Sequence, residues 1–249
     1  MQEFEVRHEQ IEAFFENTSE YQWTRLFGIN GDGGLLAVAN VPKKYRGVKI
    51  SELPFAEDNP RALVLIRKYG MTSIKQVEDG VGLYLFGTPT AENPKGTGTG
   101  KTTASVAIII AYLKERIVQE MKGEKQIEKV PAYFMKMAKF QNVFNSQFRG
   151  SKDTSENNAD QYHSLKHRMI DCDLLVLDDI GLRGITESLQ NELYEIIDER
   201  DTNERTTIFT SNVPIEELSE ILSEQLISRI EGMTVPIPFT GKDHRKKTL

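Results

Sequence analysis

The pattern of apolar and polar positions predicts extended runs separated by helical ones. Val81, Leu83, Tyr84, Leu85 and Phe86 make a first β-branched and aromatic run, closed by the turn formers Gly87, Thr88 and Pro89. Val130 to Met137, Leu174 to Asp179, Thr206 to Asn212 and Thr234 to Phe239 supply four more strand candidates. The helix expected from Lys101 to about Met121 is apolar on nearly every face between Ala104 and Ala111, the mark of an element buried against a sheet. Asn59 and Pro60 supply a cap and a first helical residue for a helix running to Tyr69, with a short second helix at Thr72 to Glu78. Thr186 to about Arg200 places Leu189, Leu193, Ile196 and Ile197 on one helical face, and Ile215 to Met233 reads as further helix. Strands that alternate with helices define an α/β chain with a parallel sheet.

Other stretches are less regular. Glu5 to Asn17 reads as a short amphipathic helix, glycines between Gly28 and Gly34 interrupt the chain, and Leu35 to Val41 is expected to be extended as far as Pro42. The basic, weakly periodic stretch Val41 to Leu53 is a joint, which divides the chain into a small, mainly helical N-terminal module with its linker (1–55) and a main body (56–249). Phe140, Phe144 and Phe148 recur every fourth residue on one helical face. That face is either core or, with Lys136, Lys139, Arg149 and Lys152 nearby, a stacking surface for single-stranded DNA or a partner. Gly150 to Asp160 is expected to be a mobile loop, and the basic tail from Gly241 to Leu249 to be frayed.

Composition narrows the picture. With 249 residues, 39% hydrophobic and 27% charged, the chain suits one substantial globular α/β domain and an appendage. Thirty-one Lys and Arg stand against 37 Asp and Glu, a net charge of −6, which argues against broad nonspecific binding of duplex DNA. One cysteine, Cys172, leaves no internal disulfide, and the few histidines lack structural zinc spacing. The charged beginning lacks a signal-peptide core and no apolar run is of spanning length, so the expectation is a cytoplasmic protein without a membrane.

Two stretches carry chemistry. After the first strand, GTGTGKTT (Gly96 to Thr103) can wrap a triphosphate: glycines let backbone N–H groups turn inward, and the following helix presents its positive end. Gly98, Thr99, Gly100, Lys101, Thr102 and Thr103 are the candidate phosphate-binding run, Lys101 supplying a point charge and the Thr102 hydroxyl a Mg2+ ligand. Strict GxxxxGK[ST] spacing wants glycine where the chain has Lys95. The preferred alignment starts the loop at Gly87 and opens it by an insertion from Thr90 to Thr97. In LLVLDD (Leu174 to Asp179) a buried strand ends in two carboxylates, where open α/β sheets bind ligands; Asp178 is assigned to Mg2+, directly or through water, and Asp179 to polarising the attacking water. Asn212 either orients that water or joins Ser211 in capping the helix after Pro214. Arg229 is either a surface ion-pair partner or a finger for a neighbouring subunit's nucleotide.

The order of these pieces resembles the AAA+ family, and within it the DnaC/DnaI-type helicase loaders. The similarity runs from about Val41 to Arg245 through VPKKY, LYLFG with GTGKTT, LLVLDDIG, ELYEIIDER, TIFTSN and SRIEGM. The resemblance implies an AAA+ P-loop NTPase with a central five-stranded parallel sheet flanked by helices, ATP and Mg2+ as cofactors, and partner-stimulated ATP hydrolysis. It makes Lys101 and Thr102 the Walker A residues, Asp178 and Asp179 Walker B, Asn212 sensor 1 and Arg229 the arginine finger, with Arg245 in GKDHR as a C-terminal sensor. It implies a helper that binds a hexameric replicative helicase through the N-terminal module, self-associates through the ATPase domain and helps place the helicase on single-stranded DNA. The insertion in the phosphate loop and the lack of N-terminal zinc-binding cysteines depart from the family pattern. Alternatives are a transposition helper ATPase of the IstB type and a nucleotide-switched adaptor with little hydrolysis.

Overall fold

Leu83 and Leu85 pack on one face of a parallel sheet while Tyr84, between them, packs on the other. Strand residues alternate faces, and an all-parallel sheet is covered on both. The computed structural model describes residues 2–16, 20–127, 129–149, 151–181 and 185–245. The elements run α1 (Gln2–Glu16), α2 (Glu20–Phe27), α3 (Gly34–Val38), α4 (Pro60–Met71), α5 (Ser73–Glu78), β1 (Gly82–Gly87), α6 (Lys101–Met121), β2 (Ala132–Lys136), α7 (Met137–Ser146), α8 (Lys152–Asp171), β3 (Leu174–Asp178), α9 (Glu187–Thr202), β4 (Thr206–Ser211), α10 (Glu224–Met233) and β5 (Thr234–Phe239). Short 3-10 turns lie at Lys43–Tyr45 and Ile215–Glu220.

The strands pair in parallel in the order β2-β3-β4-β1-β5. Every strand therefore ends at the same edge, which collects Gly87, Lys136, Asp178 and Ser211. On one face Leu83, Leu85, Phe134, Leu174, Val176 and Ile208 meet α6. On the other, Tyr84, Tyr133, Leu175, Leu177 and Phe209 meet side chains of α7, α8, α9 and α10.

The helix α6 lies between the sheet and a layer made of α1, α2, α4 and α5, which explains why its apolar residues surround it. The layer also buries Lys114, Glu115 and Arg116 in succession. Lys114 Nζ lies 2.6 Å from a carboxylate oxygen of Glu12 and Arg7 Nη2 lies 3.0 Å from Glu115, while Arg116 faces Asp173 at 3.4 Å. The buried charges persist because each meets an opposite one.

Several expectations are corrected. Leu35 to Val41 is not a strand: Leu35, Leu36 and Ala39 are buried from a single helical turn, α3, where Ala39 N donates to Leu35 O at 2.8 Å. The chain leaving that turn covers the outer edge of β2, with Phe134 N donating to Ala39 O at 2.8 Å and Asn40 Nδ2 to Phe134 O at 2.7 Å. The loop expected over Gly150 to Asp160 is the first half of α8. It is tied to the end of α7 by Asn158 Nδ2 on Ser146 O at 2.9 Å and by Ser155 Oγ on Gln147 O, and continues into buried Tyr162, Leu165 and Met169. Of the three phenylalanines, Phe140 and Phe144 are core and Phe148 is 71% exposed. The tail is not frayed over Gly241 to Arg245, where it packs against the phosphate loop. Asn17, Gly150, the Lys152 side chain and residues 246–249 lie outside the described residues.

Asn59 occupies the cap position of α4, but its amide reaches the far end of the chain. Its Nδ2 donates to Thr240 O at 2.8 Å, and Thr240 N donates to its Oδ1 at 2.6 Å. Asn59→Ala removes both bonds at a site 5% exposed and is expected to cost about 2 kcal/mol. A urea midpoint corresponding to less than about 0.5 kcal/mol would contradict this reading.

Candidate functional site

The phosphate-type loop begins where β1 ends. Gly87 approaches Gly96 so closely that a Cβ on Gly87 would stand 2.2 Å from the Gly96 carbonyl oxygen, so residues 88–95 form an excursion that returns to its starting point. Gly100 then turns the chain into α6 with φ +102°, and a Cβ there would lie 2.3 Å from the Phe55 ring. Lys101 opens the helix and its Nζ folds back onto the loop, donating to Gly96 O at 2.8 Å and Thr99 Oγ1 at 3.3 Å.

The next residue bridges to the other motif. Thr102 Oγ1 donates to Asp178 Oδ1 at 2.7 Å. The strand β4 lies between β1 and β3 and supplies Thr210, whose hydroxyl donates to the same oxygen at 2.9 Å and accepts from Asp179 N at 2.9 Å. Asp179 adopts φ +66°, which turns its side chain off the strand towards solvent, where Asn212 Nδ2 donates to its Oδ1 at 3.1 Å. Asn212 therefore faces Asp179, and Pro214 occupies the cap position of the following turn.

Charge is crowded at this edge. Burial pushes the Lys101 ammonium down to about 8, with Arg245 adding to the effect and Asp179 and Asp178 opposing it. Partial burial and the charge of Asp178 push the Asp179 carboxyl above its ordinary range, against the pull of Lys101, Arg245 and Lys136. A cavity of about 250 Å³ opens beside the loop, lined by the run Gly98 to Thr103 together with Lys44, Tyr45, Pro54, His244 and Arg245. Backbone N–H groups at the start of α6 and the Lys101 charge make its floor suited to an anion.

The structure thus brings Gly98 to Thr103, Asp178, Asp179 and Asn212 to one edge of the sheet. Arg229 lies elsewhere, partly exposed on α10 and ion-paired with Asp198 at 2.7 Å and Asp201 at 2.8 Å. Sequence reasoning did not assign the wall formed by Lys44, Tyr45 and Pro54. VPKKY carried a signal for it only as a string shared with a family. Thr210 was missed because a threonine inside a strand reads as β-propensity.

Parallel strands in this order, with the loop after β1 meeting the acidic end of β3, define the AAA+ class of P-loop fold. Within that class the chain belongs to the family of IstB-like ATP binding proteins, whose family model matches residues 95–231, more than half of its length. It is similar to the replicative helicase loader DnaC of Escherichia coli (strain K12), 27% identical over 97 residues, or 39% of this chain and 40% of that protein. It is also similar to the chromosomal replication initiator protein DnaA of Zymomonas mobilis, 29% identical over 148 residues, or 59% of this chain and 25% of that protein. The match to the curated loader spans about two fifths of that protein's length. Among solved structures, a DnaC helicase loader superposes with a TM-score of 0.55 at 24% identity, covering 80% of this chain and 99% of the other. DnaI superposes with 0.58 at 18% identity, covering 80% and 95%. Among the described residues no helix is long and apolar enough to cross a membrane.

Proposed function

We propose that the protein is an ATP-binding ATPase that binds a hexameric replicative DNA helicase and helps place it on single-stranded DNA. The observation that carries the nucleotide reading is the Thr102 to Asp178 bond beside the Lys101 loop, which joins the two motifs into one site. Lys101 and the amides from Gly98 to Thr103 hold the β and γ phosphates, and the Tyr45 ring at the cavity wall takes the base. Hard oxygen donors from Thr102 and Asp178 fit Mg2+, which takes one or two protein ligands and completes its shell with phosphates and water. Bound Mg2+ supplies charge neutralisation at the phosphates. Asp179 takes the proton of the attacking water and Asn212 orients Asp179 and that water.

Arg229 completes a neighbouring copy's site. In the single chain Asp198 and Asp201 hold its charge, so self-association through the ATPase domain is what delivers it. The N-terminal module (1–55) grips the helicase through the exposed Phe14, Tyr21 and Trp23 of α1 and α2. Exposed Phe148 offers a stacking face for single-stranded DNA beside its basic chain neighbour Arg149.

A purified sample should bind ATP and release phosphate faster in the presence of helicase and single-stranded DNA. Asp179→Ala should keep ATP binding and lose roughly a hundredfold in phosphate release. A wild-type protein that binds no ATP would remove this reading. The match to the IstB-like family favours a second reading, a transposition helper. Recovery of a transposase rather than a helicase from a cell extract would decide for it. A third, the nucleotide-switched adaptor, is favoured by Asp179 being engaged with Asn212, and predicts ATP binding with no stimulated phosphate release.

A further inference from the structure

The excursion that interrupts the phosphate loop has a fixed shape. Thr90 and Asn93 bond each other reciprocally, Thr90 N to Asn93 O at 3.1 Å and Asn93 N to Thr90 Oγ1 at 3.0 Å, and Gly96 N returns to Asn93 O at 3.0 Å. The Asn93 side chain is 6% exposed, although it sits in a loop of polar residues. Its Nδ2 donates in two directions: to Thr97 O at 2.7 Å, inside the loop, and to Gly241 O at 3.0 Å, in the C-terminal segment. An amide with both hydrogens committed to carbonyls, one in its own loop and one in the C-terminal segment, acts as a bracket.

What the bracket holds runs straight back to the cavity. From Gly241 the chain passes over the phosphate loop, with the Asp243 side chain against Gly98 and His244 N donating to Gly98 O at 3.1 Å. His244 Nε2 stands 2.8 Å from Asp58 Oδ2, which fixes the other side of the segment. Two residues of the segment, His244 and Arg245, then line the same cavity as Gly98 to Thr103. The segment is a strap, and the excursion is its buckle.

We propose that Asn93 is a positioning residue: through Gly241 it sets the C-terminal strap so that the Arg245 guanidinium faces the terminal phosphate of a bound nucleoside triphosphate. The proposal rests on the nucleotide reading of this site and assigns a purpose to the insertion, whose own side chains do not line the cavity. An arginine set from the strap senses the last phosphate and not the first two, so it discriminates triphosphate from diphosphate.

The test is titration of the full chain with ATP and with ADP by calorimetry, alongside thermal melts. Asn93→Ala should weaken ATP binding by about fivefold to tenfold, the effect of an arginine contact partly lost, and change ADP binding by less than about twofold. Arg245→Ala should lower the ATP/ADP affinity ratio at least as much, and the double variant should lose no more than Arg245→Ala alone, because the two act as one unit. Arg245→Lys should restore part of the ratio. Asn93→Ser, which keeps one donor, serves if the alanine variant fails to fold. An unchanged ATP/ADP ratio in a folded Asn93 variant, equal losses for both nucleotides, or additive losses in the double variant would overturn the assignment while leaving ATP binding itself in place. A wild-type chain that binds neither nucleotide would overturn both.

Discussion

Lys101→Met is expected to weaken ATP binding by roughly a hundredfold, equivalent to about 3 kcal/mol, the size of a charge-assisted phosphate contact. It should also raise the thermal midpoint of the nucleotide-free protein. The two effects share a cause. Lys101 is 7% exposed and its ammonium, displaced from 10.5 to about 8, is charged at a cost of about 3 kcal/mol when no anion faces it. Because the folded-state pKa lies below the unfolded one, the unfolded chain holds more protons between about 8 and 10.5, and this group's contribution to stability rises with pH across that window. Below about 8 its full destabilising effect is present. Methionine removes that cost but also removes the bonds to Gly96 O and Thr99 Oγ1, so the net gain should be roughly 1 to 2 kcal/mol.

The same displacement predicts proton uptake. A triphosphate beside Nζ restores the charged form, so above pH 8 binding should take up protons, and affinity should fall as pH rises. Calorimetry in two buffers of different ionisation enthalpy reads the uptake. An apparent enthalpy that is the same in both, or a Lys101→Met protein that melts lower than wild type, would contradict the electrostatic account of the site.

The parts of this site that were legible in the sequence are the ones encoded locally. A strand of β-branched and aromatic residues, then a glycine loop, then a helix beginning at Lys101 is a continuous string, and LLVLDD is a buried strand with its carboxylates at the required end. The lysine is buried and the carboxylate bonded to Thr102 because β1 and β3 are parallel with β4 between them, an order that no local pattern in the sequence encodes.

What escaped was decided by residues far away in the chain. Leu35, Leu36 and Ala39 satisfy a short strand or one helical turn equally well, and the choice falls to the edge of β2, 94 residues from Asn40. The first half of α8 has no apolar periodicity, since its polar face is solvated and its anchors are Ser146 and Gln147 carbonyls. Lys114, Glu115 and Arg116 look like a solvated helix end, yet Glu12 and Arg7 arrive from α1 to bury the first two. The basic tail reads as frayed by composition, and it is ordered over Gly241 to Arg245 by Asp58, Asn93 and Gly98, none of them near it in sequence.

Arg200→Met, at the opposite end of the strands from the cavity, is expected to destabilise the protein by about 3 to 5 kcal/mol. Arg200 is 0% exposed, yet it sits on α9 as if it were a last-turn surface cation. Its Nε donates to Thr207 Oγ1 at 2.9 Å and its Nη1 to Met169 O at 2.8 Å and Cys172 O at 2.7 Å, while Nη2 donates to Thr206 O. One guanidinium thus satisfies the last turn of α8, the entry to β3 and the first residue of β4. Methionine fills much of the volume and supplies no donor, which leaves several carbonyl oxygens buried where water does not reach them. Lysine keeps the charge but offers a single nitrogen that cannot span the three elements, so Arg200→Lys should recover only part of the loss. For a chain of this length the methionine variant should melt roughly 10 °C lower. Because β3 carries Asp178 only four residues beyond Leu174, loosening its entry should also lower ATP affinity near the melting transition but not far below it. A melting shift under about 2 °C would show that the carbonyls find other donors and that the buried arginine is not what registers β3 against β4.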